Sequence, residues 1–121
     1  MYQIIAYKDR AGNDEITKYI NDLNEKMVTN KDAHIKYKKI MEHIRILETY
    51  GVTAGMPYMK HITGTDLWEL RPTRDRIFFF CWKDNTFVLL HRFVKKTQKT
   101  PPREIERAQR NLKDFLERYD E

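Results

Sequence analysis

Hydrophobic positions in the first half of the chain recur at the spacing of α-helices. Apolar residues form one stripe through 13–28 and another through 31–50, each typical of an amphipathic helix. Thr29-Asn30 separates the two stripes, and Gly51 is a natural end for the second helix. Residues 2–7, which are rich in Ile and Tyr, predict a short strand before them. The pattern therefore predicts one strand followed by an antiparallel pair of helices.

The pattern changes to that of β-strands after residue 55. Strands are predicted at 56–62, 67–70, 76–82 and 87–94. Tight-turn residues separate the last three strands, which predicts that these three form an antiparallel meander. Residues 77–82 and 87–90 are apolar at consecutive positions. Both faces of the predicted sheet should therefore be covered at these two strands.

A last helix is predicted after the pair Pro101-Pro102. Thr100 is the expected N-cap, and the prolines suit the first turn, where the missing N–H does no harm. An apolar stripe then follows at helical spacing: Ile105, Ala108, Leu112, Phe115 and Tyr119. With no internal repeat and no linker, this order of elements predicts an α+β fold in a single domain spanning 1–121.

The length and the single cysteine narrow the class of protein. A chain of 121 residues can bury a modest core without disulfides or metals. Cys81 lies in the apolar run 77–82, so we expect it to be a small core residue of a protein in the reducing cytoplasm. The first residues lack the pattern of a signal peptide, and no segment is apolar enough to cross a bilayer.

The sequence also argues against several kinds of active site. Its four glycines are isolated, so no glycine-rich phosphate loop is present. Its four histidines show no zinc-type spacing with the cysteine or with one another. No pair of acids suggests a buried carboxylate site. We therefore expect no metal and no cofactor.

Positive charge is concentrated in the second half of the chain. The formal net charge is +5, and residues 57–103 hold ten Lys or Arg against four Asp or Glu. Residues 91–103 alone carry five basic residues and no acid. Such a distribution favours a polyanionic partner, above all a nucleic acid.

Strand pairing should gather these cations at one rim of the sheet. Arg71 ends one strand and Arg76 begins the next, with Arg74 in the turn between them, where we expect Asp75 to hold it. Antiparallel pairing brings the end of the last strand, Lys95-Lys96, to the same place. The alternative is a set of surface ion pairs with little energetic weight. We favour convergence because the local acids are too few to neutralise the cations.

Three segments resemble the HigB branch of the RelE/ParE toxin superfamily, phage-derived relatives included. They are Leu67-Trp68-Glu69-Leu70-Arg71, Arg76-Ile77, and the tract from Leu90 to Pro101. The resemblance covers about 1–119 in element order and is strongest over 67–108. Its specific part is the tract from Phe93 to Pro101, followed by Glu104-Ile105 and Ala108.

The resemblance implies a RelE-like toxin of a type II toxin–antitoxin pair. Such toxins enter the ribosomal A site, cut mRNA without a metal, and are inhibited by a cognate helix-turn-helix antitoxin, here HigA-like, with which a heterotetramer can form. Arg76 and the pair Lys95-Lys96 match the family's catalytic positions, and Arg74 is added as a neighbour. The expected RNA contacts are Arg71, Lys60, His61, His91 and Lys99.

The proton-transfer group and the target stay open at this stage. Lys95 or Lys96 is our hypothesis for the proton donor, because clustered cations disfavour one another's charge. His91 has apolar neighbours that favour a core position, and Tyr119 lies on the apolar stripe. Two other functions remain: a ParE-like inhibitor of DNA gyrase, since one fold serves several targets, and a non-catalytic nucleic-acid-binding module.

Overall fold

The computed structural model describes residues 1–119, and within them it contains the predicted elements in the predicted order. The elements are β1 (Gln3–Ala6), α1 (Glu15–Lys26), α2 (Lys31–Tyr50), a 3₁₀ turn (Gly51–Ala54), β2 (Met59–His61), β3 (Trp68–Leu70), β4 (Asp75–Trp82), β5 (Thr86–Val94) and α3 (Pro102–Tyr119). The α+β class predicted from the sequence is confirmed.

The five strands form one mixed sheet in the order β1-β5-β4-β3-β2. Strands β2 to β5 are antiparallel neighbours, so the predicted meander is confirmed and β2 extends it. Strand β1 pairs in parallel with β5 at the other edge. A register shift between Phe78 and Phe79 marks a β-bulge in the central pair.

Both faces of the sheet are covered, as the consecutive apolar positions predict. The first face packs against α1 and α2 through residues such as Ile77, Phe79 and Leu47. The second packs against α3 through residues such as Phe78 and Phe115. We call these the hairpin face and the α3 face. The covering on both sides explains why β4 is buried at six consecutive positions, from residue 75 to 80.

Helix α2 shows how local signals set an element's ends. The side-chain oxygen of Asn30 accepts a hydrogen bond of 3.0 Å from the backbone N–H of Ala33. At the other end Gly51 has a φ of +63° and donates its N–H to the carbonyl of Leu47. Residues that carry a side chain rarely adopt such a backbone φ, so glycine is suited to this position.

Two predictions about single residues are wrong. Thr100 does not cap α3, because the helix begins at Pro102, one residue later than predicted; the Thr100 hydroxyl donates to the carboxylate of Glu69 at 2.9 Å. Cys81 is exposed rather than buried and directly follows the six buried positions of β4. Within residues 1–119, no helix is long and apolar enough to cross a membrane.

Candidate nucleic-acid interface

One rim of the sheet collects the end of β3, the start of β4 and the end of β5. The register pairs Leu70 with Ile77 and Asp75 with Val94. The backbone N–H of Lys95 donates to the carbonyl of Arg74 at 2.8 Å, which fastens the segment after β5 to the β3–β4 turn. Residues distant in sequence are therefore neighbours at this rim.

Four of the five predicted cations line one pocket at this rim. The pocket has a volume of about 450 Å³ and is lined by Arg74, Arg76, Lys95, Lys96, Thr97 and Gln98. We call it the basic pocket. Arg74 and Lys96 are exposed, Lys95 is half-buried, and Arg76 is buried. The pocket thus presents one buried cation and three more accessible ones to a ligand.

The Arg76 side chain is the most constrained of the four. Its Nη1 donates to the carbonyl oxygens of Thr73 at 2.6 Å and Asp75 at 2.9 Å. Burial lowers the pKa of Arg76 from its usual value, although a guanidinium stays protonated in proteins. Its Nε is buried without a hydrogen-bond acceptor. The guanidinium is therefore held in place with donor capacity to spare.

Glu69 is an acid at this rim whose role the sequence reasoning missed. It is 2% exposed, and its Oε1 lies 3.6 Å from Nε of Arg71 and 3.7 Å from Nε of Arg76. Its Oε2 accepts the hydrogen bond from Thr100. Strand alternation was the available signal, because it places Glu69 and Arg71 on one side of β3. The expectation that the local acids are too few to neutralise the cations therefore does not hold for these two arginines, which share the Glu69 carboxylate.

Arg71 lies beside the basic pocket, outside the set of residues that line it. Its Nη1 lies 3.2 Å from Sδ of Met56, and its backbone N–H donates to the carbonyl of Tyr58. The predicted proximity of Arg71 and Arg76 is confirmed, since both approach the same oxygen of Glu69.

Asp75 does not hold Arg74, contrary to the sequence prediction. Its side chain points to the hairpin face, where Oδ1 accepts a hydrogen bond of 2.7 Å from the Tyr19 hydroxyl. The guanidinium of Arg92 lies over the Tyr19 ring, 3.6 Å from its centroid. Burial, followed by the bond to Asp75, raises the pKa of Tyr19. Within the described chain Arg74 has no ion-pair partner and stays available to a ligand.

The histidines proposed as RNA contacts lie outside the basic pocket. His91 is buried on the α3 face, where it stacks near Phe78 and its Nε2 lies 2.8 Å from Oε1 of Glu104. The apolar neighbours of His91 correctly predict this core position, which leaves only 7% of its surface exposed. His61 is exposed at the end of β2 that lies away from the rim, and its Nε2 is 2.8 Å from the carbonyl oxygen of Thr65.

Two lysines from the predicted set are exposed around the rim. Lys60 pairs in register with Glu69 across β2 and β3, and Lys99 belongs to the segment between β5 and α3. Neither lines the basic pocket. Among residues 1–119, no group of three His, Cys, Asp or Glu side chains is arranged to hold a metal ion.

Comparison with known proteins yields one family. Residues 16–113 match the family model described as phage derived protein Gp49-like (DUF891). The match spans α1 to most of α3 and includes every residue of the basic pocket. A search of curated proteins finds no significant match.

Proposed function

We propose, because the chain belongs to the Gp49-like family of phage-derived proteins, that it is the toxin of a type II toxin–antitoxin pair. The family is associated with RelE/HigB-like toxins. In this proposal the protein is a metal-independent, ribosome-dependent mRNA endoribonuclease that stops translation and growth. The observation that carries the proposal is the basic pocket, in which one buried arginine and three further cations converge.

The proposed reaction uses chemistry that RNA already contains. The 2′-oxygen attacks the adjacent phosphorus while the bond from phosphorus to the 5′-oxygen breaks. A base must take the proton of the 2′-hydroxyl, and an acid must give one to the leaving oxygen. The phosphorus centre gains negative charge on the way. An enzyme that holds fixed cations against this charge lowers the barrier.

Arg76 is suited to stabilise that charge. Its Nη1 is occupied by two carbonyl oxygens and its Nε faces Glu69. Within residues 1–119, Nη2 is the one nitrogen of this guanidinium with neither a carbonyl nor a carboxylate partner. A guanidinium held in place before the substrate arrives need not reorganise during the reaction. We assign Arg76 to the phosphate and Arg74 to a neighbouring phosphate oxygen.

Lys95 or Lys96 is the proposed proton donor to the leaving 5′-oxygen, and solvent water takes the proton of the 2′-hydroxyl. Both line the basic pocket with Arg76, and an ammonium group can donate a proton to the leaving oxygen, whereas a guanidinium does not. Rates measured against pH in K95R and K96R variants test this role. If the fall in cleavage rate at high pH disappears in one variant, the lysine replaced in that variant is the donor. Unchanged pH–rate profiles in both variants exclude the two lysines as donors.

A cognate helix-turn-helix antitoxin, HigA-like in character, is the proposed partner, and a heterotetramer is the proposed assembly. The exposed cations of the basic pocket support a partner that covers or neutralises the rim. Coexpression of the chain with the product of a neighbouring gene should restore growth if that gene encodes the antitoxin.

Mapping of mRNA 5′ ends in a reconstituted translation reaction tests the proposed function. The reactions compare the wild type, R76A and the control R110A, since Arg110 is an exposed residue of α3 outside the basic pocket. We expect cuts at codon spacing with the wild type and R110A, and none with R76A or without ribosomes. Cuts on free RNA would support the endoribonuclease activity but contradict its dependence on ribosomes.

The same samples separate the other two functions. An absence of cuts together with arrest of DNA supercoiling would indicate a gyrase inhibitor. An absence of both, with RNA binding that R76A weakens only in part, would indicate a binding module.

A further inference from the structure

Glu69 connects three groups that surround the proposed catalytic pocket. One carboxylate oxygen approaches both Arg71 and Arg76, at 3.6 Å and 3.7 Å, and the other accepts the hydroxyl of Thr100 at 2.9 Å. Only 2% of the Glu69 surface is exposed. Such burial keeps solvent and substrate away from the carboxylate, so Glu69 acts on its neighbours rather than on RNA.

The first effect of Glu69 is to hold two like charges together. Two guanidiniums side by side repel each other, and a carboxylate between them offsets that repulsion in a poorly solvated site. The side chains of Arg71 and Arg76 are only 22% and 10% exposed, so water screens them weakly. Without the carboxylate, Arg76 would gain by turning toward solvent and away from its fixed position.

The second effect is to anchor the cationic loop, by which we mean residues 95–101 between β5 and α3. At its start the backbone of Lys95 is bonded to the carbonyl of Arg74. At its end Thr100 is bonded to Glu69. Both ends of the loop are therefore fastened to the β3–β4 hairpin, which carries Arg76.

We propose that Glu69 is a positioning residue that sets the geometry of Arg76 and of the cationic loop relative to each other. This inference rests on the proposed function for its catalytic consequence, but its structural consequence can be measured separately. It gives Glu69 opposite effects on two steps. Its charge weakens the attraction of the rim for RNA, and the position that the same charge gives to Arg76 promotes cleavage.

The substitution E69Q tests these opposite effects, because glutamine keeps the shape and loses the charge. RNA affinity is measured by fluorescence anisotropy with a 2′-O-methylated strand, which cannot be cut. Cleavage is measured by 5′-end mapping. We expect E69Q to bind this strand as tightly as the wild type or more tightly, and to cut about 100-fold more slowly, as for a displaced catalytic group.

Nitrogen-15 NMR of the arginine Nε–H groups reports the positioning without any reaction. In the wild type, Arg71 and Arg76 should give two resolved signals that exchange slowly with water. In E69Q their exchange should be faster by about ten-fold, because each Nε–H loses its ion pair with the carboxylate. The control D84N makes the same change of charge in the β4–β5 turn, away from the rim, and should match the wild type in all three measurements.

A second variant, T100V, tests the proposal independently in case E69Q does not fold. T100V removes the hydroxyl but leaves the carboxylate and both arginines, so their signals should stay while cleavage falls by a smaller factor. Wild-type exchange in a folded E69Q overturns the positioning role, whatever happens to cleavage. Faster exchange with wild-type cleavage also overturns it.

Failure of the proposed function has a different signature. If the wild type cuts no RNA, the proposed endoribonuclease function is wrong. The exchange rates of the arginine Nε–H signals still decide whether Glu69 positions Arg76. Should E69Q lose its fold, unchanged cleavage in T100V would overturn the anchoring of the loop.

Discussion

The Nε2–H of His91 donates a hydrogen bond of 2.8 Å to Oε1 of Glu104. This bond joins β5 to the first turn of α3 across 13 residues of sequence. It therefore fixes where α3 begins relative to the rim, at the far end of the cationic loop from Lys95. The bond is partly buried, and Nδ1 of the same ring is buried without a partner.

Loss of the Glu104 carboxylate should destabilise the fold. The substitution E104A removes the hydrogen-bond partner of Nε2 in the buried His91 ring, and we expect a loss of about 1–3 kcal/mol in the free energy of unfolding. The control E106A removes an exposed acid of the same helix and should cost less than about 0.5 kcal/mol. Urea denaturation measures both. Equal effects would show that the His91–Glu104 bond contributes nothing specific.

Gly51 should be intolerant of a side chain for two separable reasons. Its φ is +63°, and a Cβ there would lie 2.8 Å from the Tyr2 ring. Gly12 has a φ of +88° but open space around it. We expect G12A to show the backbone strain alone, about 1–2 kcal/mol, and G51A to lose more by urea denaturation. A G51A loss no larger than that of G12A would mean that the Tyr2 ring moves aside freely.

The contact between Tyr7 and Asp114 should make stability depend on pH at both extremes. The Tyr7 hydroxyl donates to Asp114 Oδ2 at 2.6 Å. Burial, and then this bond, raises the pKa of Tyr7 from 10.0 to about 12. The same bond, followed by those from Arg10 and Arg118, lowers the pKa of Asp114 from 3.8 to about 2.

The signs follow from which form each state prefers. Asp114 stabilises the fold above its ordinary pKa of 3.8, and this contribution is lost as pH falls toward about 2. Tyr7 contributes below 10.0, and its contribution is lost as pH rises toward about 12. The difference in Tm between wild type and Y7F should be largest between these limits and should narrow toward both. A constant difference would contradict the linkage.

Cys81 should react in the folded protein. The thiol is exposed, so a disulfide reagent such as Ellman's reagent should modify it fully without denaturant. Partial desolvation raises the pKa of Cys81, and we therefore expect a lower rate than that of glutathione near neutral pH, where thiolate is the reactive form. C81S is the blank. Protection until the protein unfolds would indicate a buried thiol.

The salt dependence of RNA binding should identify the cations of the basic pocket. Removal of one phosphate contact from a single strand lowers the slope of log affinity against log salt by about 0.7. We expect that change for K96A, since Lys96 is exposed in the pocket. The control K38A removes an exposed lysine of α2 and should leave the slope unchanged. A full slope in K96A would exclude Lys96 from contact with phosphate.

Local signals explain which parts of the fold the sequence could predict. Asn30 and Gly51 set the two ends of α2 through hydrogen bonds to residues three or four positions away. The predicted range of 31–50 agrees with the helix. The meander and its doubly covered strands follow from turn residues and from consecutive apolar positions. The gathering of Arg76 with Lys95-Lys96 follows from antiparallel pairing alone.

The wrong predictions share a different cause. The predictions for Thr100, Asp75 and Cys81 rest on adjacent residues, whereas the surroundings of each side chain depend on how distant parts of the chain pack. Thr100 bonds to Glu69, 31 residues away, and Asp75 bonds to Tyr19, 56 residues away. Cys81 directly follows the buried part of β4, and whether such a position is covered depends on how elements distant in sequence pack on the sheet.

By itself the sequence determined the order of elements, both covered faces of the sheet and the cationic character of one rim. These depend on periodicity, turn chemistry and charge, which act over a few residues. The tertiary structure decided which cations share a pocket and which partner each polar group takes. That choice depends on burial, because a buried charge such as that of Glu69 is stable only beside opposite charges or hydrogen-bond donors. Which of these groups lie beside it is decided by the tertiary fold.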